Sequence, residues 1–169
     1  MLARTLQHRY ALRGAIFALI VAVVAFGVLS NASHHPIAPQ LPRAVLRGEP
    51  LTLAALRGRS VAIAFVASWC PGCRTEAPAL ERFAVSPAGR GRLLAIDSSD
   101  PIRRDAHAFV SRYHWTFTVL DDANGATGDA YGVEHLPTTV ILNADGRIVA
   151  RDSGPQTVAS LERALRGAG

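Results

Sequence analysis

The chain has 169 residues, 49% of them hydrophobic, with eighteen basic and thirteen acidic side chains. That length allows one short N-terminal segment and one domain able to bury about two-thirds of its unfolded surface, so the fold needs no disulfide framework. Every cation is an arginine, and removing Arg4, Arg9 and Arg13 leaves fifteen against thirteen carboxylates, too even a balance for a nucleic-acid-binding face.

Only two cysteines occur, Cys70 and Cys73. A bridge between them would close almost no loop and would contribute almost nothing structural. A four-ligand zinc site would need a second cysteine pair or two suitably spaced histidines, and none follows. No metal and no cofactor is expected.

Residues 1–13 form a basic leader, and residues 14–32 form a transmembrane anchor or a signal sequence. Gly14 to Leu29 carries no charge; as a helix it spans about 24 Å, slightly less than a roughly 30 Å hydrocarbon core. Flanking residues and a snorkelling Arg13 can extend the span. Small residues at Ser30 and Ala32 also fit a cleavage site before Ser33. Arginines before the span, and none after it until Arg43, put the N-terminus inside and the domain outside the cytoplasm. Residues 33–43, with Pro36, Pro39 and Pro42, read as an extended linker to a domain over residues 44–169.

Within the domain, Leu51 to Leu56 is a short apolar stretch ended by a turn at Arg57-Gly58-Arg59. Val61 to Ala67 is almost continuously apolar and reads as a strand buried on both faces. The spacing of Ala77, Leu80 and Phe83 predicts a helix from Cys73 to about Phe83. A strand is expected over Leu93–Ile96, ending at Asp97, and a helix from Pro101 to about His114 with Ala106, Phe109, Val110 and Tyr113 on its apolar face. Then come a strand over Phe117–Leu120, a helical turn near 125–131, and a hairpin of Thr138–Leu142 with Arg147–Arg151 around Asn143-Ala144-Asp145-Gly146. Residues Pro155 to Arg166 read as a closing helix. Alternating elements followed by a hairpin make an α/β sandwich with a mixed sheet, and Trp115, Phe109 and Phe117 are most simply core.

A strand that runs through C-x-x-C into a helix has a chemical consequence. Cys70 falls at the helix N-terminus, where unpaired N–H groups and the macrodipole favour a thiolate, the attacking species. Lowering a thiol from about 8.5 to about 7 corresponds to roughly 2 kcal/mol, near the upper reach of a helix terminus. Cys73, one turn on, can then attack the mixed disulfide. Pro71 suits the first turn because its missing N–H costs nothing there.

Ala67-Ser68-Trp69-Cys70-Pro71-Gly72-Cys73, Arg74-Thr75-Glu76-Ala77-Pro78 and the distant Leu136-Pro137-Thr138-Thr139 together resemble the thioredoxin superfamily, in particular its membrane-anchored TlpA/ResA/DsbE type. The resemblance covers about residues 42–168. It implies a thioredoxin-like three-layer α/β sandwich with a mixed central sheet, preceded by one N-terminal transmembrane helix. It also implies a cis Pro137 beside the cysteines and a loop that presents backbone to an incoming chain. Catalytic residues implied are Cys70, Cys73, Glu76 and Pro137, with substrate contacts from Trp69, Pro71, Gly72, Leu136 and Thr138. Glu76 would exchange a proton with Cys73, while a surface glutamate paired with Arg74 or Arg82 is the plainer alternative. Ala64 stands where thioredoxin has a buried aspartate, which leaves Glu76 as the nearby carboxylate. His135 reads as a loop-surface residue.

The implied activity is reduction of disulfides in exported client proteins, with apocytochrome c maturation as one client route. A membrane electron-donor thiol protein would recharge the pair. Pro71-Gly72 places no histidine or cation between the cysteines, which argues against a strong oxidant. Disulfide oxidase or isomerase, a copper-binding or redox-silent module, and a thiol peroxidase remain the alternatives.

Overall fold

A computed structural model describes residues 35–169. The expected leader and anchor at 1–32 lie outside the described residues, together with Ser33 and His34. Among the described residues no helix is long and apolar enough to cross a membrane.

The elements in chain order are β1 (Val45–Arg47), α1 (Leu53–Leu56), β2 (Val61–Val66), α2 (Pro71–Val85), β3 (Leu93–Ser98), α3 (Arg103–Arg112), β4 (Val119–Asp122), α4 (Ala126–Ala130), β5 (Thr138–Leu142), β6 (Ile148–Ser153) and α5 (Val158–Gly167). The six strands form one sheet in the order β1-β4-β3-β2-β5-β6. β2, β3 and β4 run parallel, whereas β1, β5 and β6 pair antiparallel to their neighbours. This is the mixed sheet expected from helical crossovers followed by a hairpin.

β2 lies near the sheet's centre and is buried along its whole length. Its side chains alternate, so Ala62, Ala64 and Val66 meet α2, α3 and α5, while Val61, Ile63 and Phe65 enter a second core. Ala77, Leu80 and Phe83 of α2 are fully buried against the first face, as their spacing predicts. Each large apolar side chain so buried contributes about 1.5–3 kcal/mol. Trp115 is fully buried, edge-on to Phe109 with ring centroids 5.2 Å apart, and donates from Nε1 to Ala77 O at 3.0 Å.

Several boundaries differ from the expected ones. β1 carries too few residues to show a period and forms because β4 offers it a free edge. β4 begins at Val119 rather than Phe117, whose ring instead packs on Trp115 at 5.0 Å. α5 begins at Val158, where Thr157 and Ser160 form a reciprocal cap. Residues 35–41, read above as linker, lie extended along the β5–β6 turn. Ala38 N–H donates to Gly146 O at 3.0 Å, Ile148 N–H to Pro36 O at 2.9 Å, and Tyr131 Oη to Pro39 O at 2.7 Å. Ala38 and Leu41 are buried against the second core, which ties this stretch down.

Candidate active site

Cys70 is the N-cap of α2 and Pro71 occupies the first helical position. Extended backbone at Cys70 (φ −77°, ψ 118°) turns its side chain over the helix end, where Sγ accepts the Cys73 N–H at 3.1 Å. The two sulfurs are joined as a disulfide, with Cα atoms 5.3 Å apart. Cys70 is 3% exposed and Cys73 is completely buried, so in this disulfide form neither residue is open to solvent. The N–H that meets Cys70 Sγ is one of the orphan donors of the helix terminus, placed where thiolate charge develops.

The turn before the helix is held from a distance. Asp100, 4% exposed, accepts from Ser68 N–H at 2.7 Å and from Ser68 Oγ at 2.9 Å. Trp69 Nε1 donates to Ser99 O at 3.2 Å, and Arg74 Nε to Ser68 O at 3.0 Å. Asp100 and Ser99 were not among the residues singled out from the sequence. Their role comes from a contact across thirty-two positions that no local pattern encodes, although Asp100-Pro101 after a strand marks a turn. Trp69 itself is 52% exposed beside the disulfide.

The Leu136–Pro137 bond is cis. Pro137 lies against the first turn of α2, since a Cβ added to Gly72 would stand 2.8 Å from Pro137 Cδ. Gly72 therefore permits this approach. Leu136 is half-buried and touches both cores. Thr138 is 2% exposed; its Oγ1 donates to His135 O at 2.7 Å and lies 3.1 Å from Ser153 Oγ, so its side chain faces inward. Pro71 and His135 are exposed. The structure thus brings Trp69, Cys70, Pro71, Gly72, Cys73 and Pro137 together, with Leu136 and Thr138 in the supporting loop.

Glu76 is 1% exposed, one turn beyond Cys73 on α2. Its Oε2 accepts the Gln156 N–H at 2.9 Å, while Oε1 has no hydrogen-bond partner. Burial pushes its pKa from 4.5 up to about 7, partly offset by the Gln156 N–H. The surface pairing with Arg74 or Arg82 is absent, because the side chain points into the protein.

A second buried carboxylate, Asp97, is the next-to-last residue of β3, opposite Val66 of β2 and Asp121 of β4. It is 1% exposed and neither oxygen has a hydrogen-bond partner. Burial first, then the charges of Asp100, Asp121 and Asp122, push its pKa from 3.8 up to about 8. Among the described residues no group of three or more histidine, cysteine, aspartate or glutamate side chains is arranged to hold a metal ion.

Comparison with known proteins places this geometry. The redoxin family model matches residues 31–165. The thiol-disulfide oxidoreductase ResA of Halalkalibacterium halodurans is 30% identical over 164 residues, covering 92% of this chain and 93% of that protein. The thioredoxin-like protein YneN of Bacillus subtilis is 33% identical over 130 residues, 76% of each chain. A secreted Mycobacterium tuberculosis disulfide oxidoreductase homologous to E. coli DsbE superposes with a TM-score of 0.62 at 29% identity, covering 76% of this chain and 96% of that one. By the extent of these matches the chain belongs to the redoxin family, in the ResA- and DsbE-like part of the thioredoxin superfamily.

Proposed function

We propose that this protein is a thiol–disulfide oxidoreductase that works outside the cytoplasm, tethered through residues 14–32, and reduces disulfides in exported proteins. The observation that carries the reading is Cys70 at the N-terminus of α2, its sulfur meeting the Cys73 N–H, with Pro137 against the same turn. The charge asymmetry around the apolar segment and the secreted relative support the compartment. Apocytochrome c is a client suggested by family likeness.

In the reduced protein, the Cys70 thiolate attacks one sulfur of a client disulfide. A Cys70–client bond forms, the client's S–S bond breaks, and its other sulfur leaves as a thiolate that takes a proton from solvent. Cys73 then gives its proton to the Glu76 carboxylate and attacks Cys70 Sγ. The mixed disulfide breaks, the second client sulfur leaves as a thiolate that takes a proton from solvent, Glu76 returns its proton to solvent, and the Cys70–Cys73 disulfide remains. Two electrons pass to the client in all, and a membrane thiol protein returns two to the pair. A Glu76 carboxyl poised near pH 7 is matched to this proton transfer.

Trapping tests the roles. Cys73→Ser in the full-length protein should accumulate clients as mixed disulfides through Cys70, and Cys70→Ser should accumulate none. The reduction potential of the pair should lie below about −200 mV, and a value near −120 mV would overturn the reducing direction.

A further inference from the structure

Trp69 is the common wall of two surface grooves of unlike charge. The first has a volume of about 480 Å³ and is lined by Trp69, Ser99, Asp129, Val133, Glu134 and Leu136, among others. Asp129 and Glu134 are exposed, and neither takes part in an ion pair among the described residues. No arginine lines this groove and His135 is its one histidine, in a chain with eighteen arginines. The second groove, about 450 Å³, has Arg74 and Arg112 on its walls with Tyr113 and Phe109. Its one carboxylate, Asp105, is already held by Arg104.

The two uncompensated carboxylates line the same groove as the exposed Trp69, which precedes Cys70, and the half-buried Leu136, which precedes Pro137. We propose that this first groove is a charge-selective docking site, which favours client segments carrying an arginine or lysine close to the reacting cysteine. Trp69, Val133 and Leu136 supply the apolar floor, and Asp129 and Glu134 select the cation. The arginine-lined second groove repels the same residue, so charge also biases which way the client lies.

The inference rests on the oxidoreductase reading, and the experiment keeps the two separable. Reduced full-length protein is mixed with peptide disulfides that are neutral, or that carry arginine or glutamate two residues to either side of the cysteine. The second-order rate of peptide reduction is then measured. Two partly exposed ion pairs predict that the better arginine peptide reacts about three- to tenfold faster than its glutamate counterpart at low salt. The ratio should fall below about twofold in 0.5 M salt, and also in the Asp129→Asn/Glu134→Gln double variant. Equal rates for arginine and glutamate peptides, or a ratio that survives both salt and the double variant, would overturn the docking site. Failure to reduce even the neutral peptide would instead overturn the oxidoreductase reading on which it stands.

Discussion

Asp97→Asn should make this protein more stable at neutral pH, although it alters a completely buried residue near the end of a central strand. Asparagine keeps the shape of the side chain and cannot ionise. In the folded wild type the carboxyl holds its proton up to about pH 8, whereas in the unfolded chain it releases it near 3.8. Between these values the folded state binds one more proton than the unfolded state, so this group's contribution to stability falls as pH rises, by about 1.4 kcal/mol per unit. From 3.8 to pH 7 that accumulates to about 4 kcal/mol; local rearrangement around the charge reduces the realised figure to about 2–4 kcal/mol. Burying an amide adds an offset that does not change with pH, so the slope is the diagnostic quantity. Urea unfolding of full-length wild type and variant, both in the disulfide form, should be compared at unit intervals from pH 5 to 9. The stability difference should grow in the variant's favour up to about pH 8 and then level off. Glu76 titrates in both proteins and drops out of the difference. A difference that stays flat across this range would refute the reasoning, since Asp97 would then be ionised in the fold like any solvated aspartate.

Other perturbations address the site directly. Glu76→Gln keeps an acceptor for the Gln156 N–H but cannot take a proton from Cys73. In stopped-flow reduction of a neutral disulfide, the wild type should show an inflection near pH 7 from Glu76 that the variant lacks, and an unchanged pH profile would remove the proposed role. Gly72→Ala drives a methyl group to 2.8 Å from Pro137 Cδ, on a ring tied to the backbone. Overpacking of this kind should lower stability by about 1–3 kcal/mol in urea unfolding and slow client reduction. Unaltered stability would mean that Pro137 does not press on the α2 turn.

The sequence disclosed most readily what depends on near neighbours. The apolar run of β2, the helical spacing of Ala77, Leu80 and Phe83, and the Asn143–Gly146 turn each lie within one element, and the structure has them there. The family resemblance marks Glu76, three residues after Cys73 on the same helix. Its burial could not be read, because it depends on the lead-in to α5, where the Gln156 N–H arrives from eighty residues away. The same limit hid Asp100, whose value comes from reaching Ser68 across two strands, and Asp97, which looks like an ordinary strand-ending aspartate until β2 and β4 enclose it. Phe117 misled the placement of β4 because an aromatic residue suits a strand and a core cluster equally well.

The extended stretch at residues 35–41 also fixes where this domain can be held. It joins the fold at Gly146 and Arg147, at the tip of the β5–β6 hairpin, whereas Pro137 stands at the other end of β5. The five residues of β5 separate the two, about 17 Å at ~3.3 Å per residue. The chain therefore enters the described fold at the pole remote from the cysteines, so residues 35–41 leave the face around the sulfurs uncovered for a bulky folded partner.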